Sequence, residues 1–336
     1  MSRQTYRDFE LVFIDYGSDD QIAQEAKKKV AQYPFATYIY TDTRGWFWNR
    51  AHALNIGIRH SQGDICLFYD IDLILEPVFL EKISFFNYSD TYYTFSCFYL
   101  PEHFNLLTKD VLRDGIHYEQ NYVGLCAAGR KPVESIGGFD EFYMVWGVED
   151  DDFYSRLQGR GLNRKQIAAA DCPVFHQWHP THAPAKPDAW YIAMVNYFFS
   201  KSKVENKLGN WGMHYHTADR PSLLLLSQYA TQSAYKLKFW EDNNLLFFNP
   251  FIQKFHESAP GEILLVEYMV AKQQVGNGVV NKAIQIFRKQ KERKPTIGNK
   301  EITAFFQYFV GVNRGLIGDY YFEISSHRLL FICKKT

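Results

Sequence analysis

The 336 residues of this chain include 37 lysines and arginines and 37 aspartates and glutamates, so the formal net charge is zero. A neutral chain has no global field that would favour nucleic acid or an anionic membrane as its main partner. The five cysteines are scattered without a CxxC pair and indicate neither a disulfide framework nor a zinc knuckle. With no apolar run long enough for a membrane span and no leader pattern, we expect a cytoplasmic protein of about two domains, at the inner face of the membrane if it makes a peripheral contact.

The first hundred residues alternate between strand and helix patterns. A short apolar run at residues 10–14 ends at Asp15 and Gly17, which predicts a buried strand followed by a turn. Residues 21–32 have the composition of an exposed helix, and residues 36–40 form a second apolar run. This order predicts parallel strands, and ligands of open α/β sheets bind at the carboxyl ends of such strands, where Asp15 lies.

An Asp-x-Asp sequence follows the next predicted strand. Residues 65–69 are mostly apolar and are followed directly by Asp70, Ile71 and Asp72. Alternate residues of a strand point to the same side, so the two aspartates can converge on one point if the strand persists that far. Magnesium or manganese is commonly held by one or two carboxylates together with substrate phosphates. An ordinary turn is the competing explanation for this short pattern.

Four consecutive acidic residues mark the start of a predicted helix near the middle of the chain. They are Glu149, Asp150, Asp151 and Asp152. Carboxylates in a first helical turn offset the helix dipole by a few tenths to about 1 kcal/mol each, which explains one or two of them. Four neighbouring carboxylates repel and raise one another's pKa, so we interpret the stretch as a functional site.

The rest of the chain contains a group of histidines, followed by a region without recognisable motifs. Residues 173–175 are apolar and lead to His176, His179 and His182, which can bind metal through imidazole nitrogen or occupy a polar loop. Beyond about residue 210 we find no motif, although residues 261–270 are apolar, residues 282–294 predict a basic amphipathic helix and residues 320–333 predict a hairpin. We therefore predict domains at residues 1–210 and 211–336.

Three sequence motifs carry a family resemblance over residues 4 to 180. They are WNRAHALNIGI, LFYDIDLI and NYVGLCAAGRKPVESIGGFDEFYMVWGVEDDDFYSRLQGRGL. In this order they resemble nucleotide-sugar-dependent glycosyltransferases of the GT-A fold, most of all the β-1,4-galactosyltransferases and the galactosyltransferase modules of bacterial chondroitin-type polymerases. The opening TYRDFELVFIDYGSDD is closer to the inverting glycosyltransferases of family 2.

The resemblance implies an α/β fold of the Rossmann-like GT-A type. Its sheet would be mixed but mostly parallel and flanked by helices, with an additional α+β region at the carboxyl end. The first strand of that fold is expected to precede residue 4. Val148 stands where galactosyltransferases usually have a second glycine, which would narrow the acceptor site.

The resemblance also implies a donor site and a metal site. Asp15 would contact the uracil or ribose, Trp48 and Arg50 would hold the nucleotide, and Asp70 would complete the donor site. Asp72 would be the direct ligand of Mn²⁺ or Mg²⁺. The family's histidine ligand would be His176, with His179 as the alternative.

The acceptor side would be formed by the Trp-Gly-Val-Glu-Asp-Asp stretch. Trp146 and Gly147 would lie against the sugars, and Glu149 and Asp151 would contact the acceptor. Asp150 matches the position of the general base.

The sequence thus predicts a metal-dependent inverting transfer of a hexose, galactose or N-acetylgalactosamine in type, from a UDP-sugar to a glycan or glycolipid acceptor in bacterial surface polysaccharide synthesis. Direct displacement by an acceptor hydroxyl needs a carboxylate to take the proton and a cation to offset the charge of the leaving diphosphate. The alternatives are a retaining N-acetylgalactosaminyltransferase-like enzyme and a non-catalytic or truncated carbohydrate-binding relative.

Overall fold

The computed structural model describes two compact units. The described residues are 1–105, 109–110, 119–145, 148–180, 211–216, 235–239, 248–269, 299–325 and 328–336. The first unit holds the described residues of Met1–Asp42 and Trp48–Ala189 together with residues 211–215, and the second holds Thr43–Phe47 and the described residues of His216–Thr336. The units therefore interleave along the chain, whereas the predicted domains were continuous.

The first unit is of the α/β class, as predicted. Its described strands are β1 (Leu11–Tyr16), β2 (Ala36–Thr41), β3 (Ile65–Phe68), β4 (Leu73–Leu75), β5 (Thr91–Tyr99), β6 (Glu119–Gly129), β7 (Asn163–Ile167) and β8 (Val174–His176). Its described helices are α1 (Asp20–Val30), α2 (Arg50–His60), α3 (Phe79–Ser84), α4 (Arg130–Ser135) and α5 (Glu149–Gly159). The predicted strands at 10–14, 36–40 and 65–69 and the predicted helix at 21–32 are each found to within a few residues.

The strands of this unit form two sheets. β1 and β2 pair in parallel, as the strand-helix-strand order predicted. The larger sheet has the order β3-β6-β5-β8-β4, with β7 paired to β5. Its β3–β6, β5–β6 and β4–β8 pairs are antiparallel, and only β5–β7 and β5–β8 are parallel.

The expectation of a mostly parallel sheet is therefore wrong for the larger sheet. The aromatic and Thr-rich run that became β5 indicates a strand but does not encode the direction of its neighbours. β6 runs antiparallel to both strands beside it, and an antiparallel partner does not need the helical crossover that a parallel one requires.

Helices α2 and α5 share one hydrophobic cluster on the larger sheet. Ala51 and Ile58 of α2 and Phe153 and Leu157 of α5 are buried there against strand residues such as Phe68. Phe139 stacks on Phe153 with ring centroids 4.0 Å apart. Full burial of an apolar side chain of this size contributes about 1.5–3 kcal/mol, so the shared cluster holds both helices against the sheet.

Capping residues set the amino-terminal ends of α1 and α2. The Asp19 carboxylate accepts a hydrogen bond from the Ile22 backbone N–H at 3.0 Å, and the Asn49 side-chain oxygen accepts one from the His52 N–H at 2.9 Å. Such caps contribute about 1 kcal/mol each. Asn49 also donates to the Glu141 carbonyl oxygen at 2.7 Å, which ties the start of α2 to the loop before α5.

The second unit combines a four-stranded sheet with phenylalanine-rich helices. Its described elements are β9 (Tyr235–Phe239), α6 (Asn249–Glu257), β10 (Ile263–Met269), α7 (Asn299–Val312), a 3-10 turn (Arg314–Leu316), β11 (Ile317–Ile324) and β12 (Arg328–Lys335). The sheet order is β11-β12-β10-β9, and β11–β12 is the antiparallel hairpin predicted for residues 320–333. The helix predicted at 282–294 lies outside the described residues.

Residues Thr43–Phe47 are built into this second unit. Trp46 stacks on Tyr320 with centroids 5.5 Å apart, and its indole N–H donates to the Asp319 carboxylate at 2.8 Å. The Phe322 backbone N–H donates to the Gly45 carbonyl oxygen at 2.8 Å.

Every helix in the described part of the chain is too short or too polar to cross a bilayer.

Candidate active site

The Asp-x-Asp sequence lies in a turn rather than in a strand. β3 ends at Phe68, and the Leu73 N–H bonds the Asp70 carbonyl oxygen at 3.2 Å before β4 begins. The strand therefore ends before Asp70, so the condition on which Asp70 and Asp72 were predicted to converge on one point is not met. Their carboxylates instead contact different groups.

Arg50 joins the first of these aspartates to the acidic start of α5. Its Nε donates to Asp70 Oδ1 and one terminal nitrogen donates to Asp150 Oδ1, both at 3.0 Å. The same terminal nitrogen lies 3.8 Å from a Glu149 carboxylate oxygen, and the other donates to the Gly124 carbonyl oxygen at 2.9 Å. The Arg50 side chain is only 17% exposed. Asp70 and Asp150, which are about 80 residues apart in the chain, thus meet at one guanidinium.

Asp150 is a buried carboxyl group with a strongly raised pKa. Burial raises its pKa to about 7, with the Arg50 guanidinium opposing the rise and the Glu149 and Asp70 carboxylates adding to it. Burial also lowers the pKa of Arg50, but the three carboxylates outweigh burial and raise it overall. A carboxyl group that titrates near neutral pH is suited to taking up a proton. The predicted base position therefore has the electrostatic environment of a base.

Asp72, His176 and His179 form a candidate metal site. β4 pairs with β8 so that Leu73 lies opposite His176, and the Gln177 N–H donates to the Asp72 carbonyl oxygen at 2.9 Å. Asp72 Oδ2 lies 3.5 Å from His176 Nε2 and 3.1 Å from His179 Nε2. One ligand atom from each residue lies within 4.8 Å of the others. The predicted ligand His176 and its alternative His179 are thus at the same place.

Three further observations fit a cation between these groups. His179 Nδ1 lies 3.1 Å from the Pro180 carbonyl oxygen, which can only accept, so Nδ1 donates there and Nε2 is the ring nitrogen that faces Asp72. Asp72 Oδ1 is buried without a hydrogen-bond partner in the described part of the chain. Burial lowers the pKa of His176, although the Asp72 carboxylate opposes this, and a neutral imidazole is the form that binds metal. The donor set therefore fits a divalent cation.

The predicted nucleotide contacts lie at the end of β1 and the start of α2. Asp15 is 4% exposed, and its carboxylate accepts hydrogen bonds from the Ser18 N–H at 3.0 Å and from the Tyr38 hydroxyl at 2.7 Å. Burial, together with the hydrogen bond to Asp15, raises the pKa of Tyr38. Trp48 is 51% exposed. Arg50 points into the acidic cluster, so its predicted role toward the nucleotide stays a prediction.

The acceptor residues are only partly described. Trp146 and Gly147 lie outside the described residues. Val145 and Val148 on either side of them have φ of 72° and 76°, a left-handed conformation that glycine adopts without strain and a β-branched residue does not. This explains why the resemblance expects a glycine at position 148. Glu149 is buried beside Arg50, whereas Asp151 is exposed on α5.

Several contributors to the site were not predicted. Gly124 supplies a carbonyl oxygen to Arg50, and Tyr38 holds Asp15. Asn49 is the exception that the sequence could have indicated, because an asparagine directly before a helix is a recognisable cap. Backbone carbonyl groups leave no residue-type signal.

Two families of known proteins match the first part of the chain. Residues 1–99 match the family described as Glycosyl transferase family 2, and residues 109–179 match the N-terminal domain of galactosyltransferase. These matches confirm the predicted resemblance to family 2 and to galactosyltransferases.

Individual relatives match over about two fifths of the chain. Bovine β-1,4-galactosyltransferase 1 is 31% identical over 136 residues, which is 39% of this chain and 30% of the relative. Zebrafish (Danio rerio) β-1,4-galactosyltransferase 5 is 29% identical over 132 residues, which is 38% of this chain and 31% of the relative. The matched region thus spans less than a third of each of these two curated relatives.

Among solved structures, the catalytic domain of Drosophila β-1,4-galactosyltransferase 7 in complex with xylobiose has a TM-score of 0.31 and 18% identity, over 47% of this chain and 64% of that one.

Proposed function

We propose that this chain is a metal-dependent inverting glycosyltransferase that moves a hexose from a UDP-sugar to a hydroxyl group of a glycan or glycolipid. The observation that carries the proposal is the meeting of Asp70 and Asp150 at Arg50. Asp72, His176 and His179 add a candidate cation site. A binding protein would need no carboxyl group with a pKa near neutral. The matches to galactosyltransferases support a hexose of the galactose or N-acetylgalactosamine type.

Asp150 has the properties of the general base. In the proposed reaction its carboxylate accepts the proton of the acceptor hydroxyl as that oxygen attacks the anomeric carbon, and the bond to the diphosphate breaks on the opposite face. Direct displacement inverts the anomeric configuration. Arg50 holds Asp150 in place by a hydrogen bond at 3.0 Å and limits the rise of its pKa. Glu149 and the exposed Asp151 are proposed to contact the acceptor.

Asp72, His176 and His179 would hold Mn²⁺ or Mg²⁺. When bound, the cation supplies charge neutralisation for the leaving diphosphate. Two imidazoles with one carboxylate favour a transition metal over magnesium, which prefers oxygen ligands. We therefore propose Mn²⁺ as the better cofactor of the two.

The remaining parts of the proposal concern the setting of the reaction. Asp15 and Trp48 are proposed to contact the nucleotide, at the carboxyl end of β1 and directly before α2. The resemblance of the three motifs to bacterial polymerase modules supports a role in surface polysaccharide synthesis, in the cytoplasm at the inner face of the membrane.

Calorimetric titration of UDP with Mn²⁺ and then with EDTA is the first test. We expect binding that requires Mn²⁺, followed by release of UDP from UDP-galactose or UDP-N-acetylgalactosamine when glycan acceptors are supplied. A product with the configuration of the donor would instead indicate the retaining alternative. Binding without transfer to any acceptor would favour the non-catalytic alternative, and absence of UDP binding in both conditions would reject the proposal.

A further inference from the structure

A short segment from the carboxyl-terminal side of the chain packs against the elements that carry the proposed nucleotide contacts. This segment, residues 211–215, is here called the strap. The Arg59 Nε donates to the Trp211 carbonyl oxygen at 2.6 Å, and the Gly212 N–H donates to the Glu141 carboxylate at 2.5 Å. At its other end, the Asp42 N–H donates to the Tyr215 carbonyl oxygen at 2.9 Å.

The strap cannot shift freely against α2. Gly212 has a φ of +63°, and a Cβ atom at this position would lie 2.6 Å from the Asn55 carbonyl oxygen. Arg59 also stacks on the Trp211 ring, with its guanidinium carbon 4.6 Å from the ring centroid. Backbone hydrogen bonds, an ion-dipole contact and close packing therefore fix the strap from both ends.

His52 connects the strap to the end of β1. Its Nε2 lies 2.8 Å from the Met213 carbonyl oxygen, and its Nδ1 lies 2.8 Å from the Tyr16 hydroxyl. A carbonyl oxygen only accepts, so Nε2 carries a proton and donates to Met213, while Nδ1 forms the hydrogen bond with the Tyr16 hydroxyl group. His52 is 5% exposed, and both hydrogen bonds are partly buried.

Tyr16 in turn supports Trp48. The two rings meet edge to face, with centroids 5.2 Å apart and an interplanar angle of 85°. Trp48 is half exposed, and a large exposed aromatic ring next to Arg50 offers a flat surface for a planar ligand group. Its orientation depends on Tyr16, and the orientation of Tyr16 depends on its hydroxyl group.

We infer that His52 is a positioning residue for donor binding: through its two hydrogen bonds it fixes Tyr16 against the strap, so that Tyr16 and Trp48 present one oriented aromatic surface to the base of a nucleoside diphosphate. The inference rests on the proposed function and extends it to residues that contact neither the metal site nor the acidic cluster. The contacts that run from Met213 through His52 and Tyr16 to Trp48 are here called the relay, and the role of the strap is to hold its Met213 end.

Substitutions at His52 can separate its two hydrogen bonds. His52→Asn keeps an acceptor near the Nδ1 position for Tyr16, whereas His52→Gln keeps a donor near the Nε2 position for Met213 and loses Tyr16. A hydrogen bond contributes about 0.5–1.5 kcal/mol, which corresponds to about a two- to twelvefold change in affinity. We expect Tyr16→Phe and His52→Gln each to weaken Mn²⁺-dependent UDP binding by that factor, and His52→Asn to stay within about twofold of the original chain.

Coupling and kinetics complete the test. The double variant Tyr16→Phe/His52→Gln should bind UDP no more weakly than either single variant, because both remove the same hydrogen bond. The KM for the donor should rise in these variants while kcat is retained, since the relay does not touch the reacting atoms. Thermal unfolding of every variant establishes the temperature at which all are folded for the titration.

Each outcome decides the inference. Multiplied losses in the double variant, equal losses in His52→Asn and His52→Gln, or unchanged UDP binding in Tyr16→Phe would overturn it while leaving the glycosyltransferase proposal intact. If the unsubstituted chain does not bind UDP, both proposals fall. Should His52→Gln not fold, Tyr16→Phe with and without His52→Asn makes the same comparison.

Discussion

The two halves of the candidate site differ in how their negative charge is balanced. Around Asp150, three carboxylates surround the guanidinium of Arg50, so that half contains its own cation. Around Asp72, two imidazole rings face a carboxylate that has one buried oxygen without a hydrogen-bond partner in the described part of the chain. The first half is preorganised by the fold alone. The second half brings together the candidate ligand atoms of Asp72, His176 and His179.

The largest expected effect comes from removing the carboxylate of the second half. Asp72→Ala should lower transfer on the order of 10³-fold, because the cation supplies several kcal/mol of charge stabilisation to the transition state. Titration calorimetry should also show that Mn²⁺-dependent UDP binding is lost. Asp64→Ala, at the exposed start of the same β3 region, is the matched control and should retain both properties. UDP binding that still responds to Mn²⁺ in Asp72→Ala would contradict the metal assignment.

Removing the base from the first half should affect only the chemical step. Asp150→Asn should reduce transfer by about 10²–10⁴-fold, the usual contribution of a general base, with Mn²⁺-dependent UDP binding nearly unchanged. Radiochemical transfer assays and calorimetry on the same preparation measure the two quantities. Ser155→Ala, on the exposed surface of α5, is the control. Equal loss of UDP binding in Asp150→Asn and Asp72→Ala would reject the division of roles between the two halves.

The built-in cation of the first half can be tested through stability. Arg50→Gln leaves Asp70, Glu149 and Asp150 without their partner, and removal of one member of a buried ion pair costs about 3–5 kcal/mol. Denaturant unfolding should reveal a loss of this size, whereas Arg3→Gln at an exposed position should unfold like the original chain. The double variant Arg50→Gln/Asp150→Asn should be less destabilised than the sum of the single variants. Simple additivity would mean that the two side chains do not interact.

The smallest effect is a dependence of the rate on pH. Burial raises the pKa of Asp150 to about 7, so the fraction of carboxylate available as base increases as the pH rises through that value. We expect kcat/KM to increase about tenfold per pH unit below about 7 and to level off above it. The residual activity of Asp150→Asn should lack this rise of kcat/KM with pH. A pH-independent rate between about 5 and 8 would remove Asp150 from the base role.

The elements of the fold were easier to predict than their arrangement. Apolar runs located β1, β2 and β3, and the acidic stretch correctly marked the start of α5, because burial and helix ends leave local patterns. Strand direction in the larger sheet was not predictable from those patterns. β3 ends at Phe68, before the two aspartates, and their carboxylates contact different partners.

The site was predicted as residues but not as contacts. Asp72, His176 and His179 were named because the family resemblance implied them as metal ligands, and the structure brings all three together. The bridge that Arg50 makes between Asp70 and Asp150 depends on the packing of α2 and α5 on a common cluster, which no local pattern records. The relay from Met213 to Tyr16 was missed for a related reason, since its anchor is a backbone carbonyl group that any residue could supply.

The place of Thr43–Phe47 in the second unit has a consequence for folding on the ribosome. Trp46 and Phe47 donate hydrogen bonds to Asp319 and Tyr320, each 273 positions later in the sequence. Contacts between such distant positions form slowly, because a long loop must close first. During synthesis, these two aromatic residues leave the ribosome long before their partners on β11 exist. The second unit can therefore be completed only when almost the whole chain has been made, and a fragment that starts after the strap would lack part of its own core.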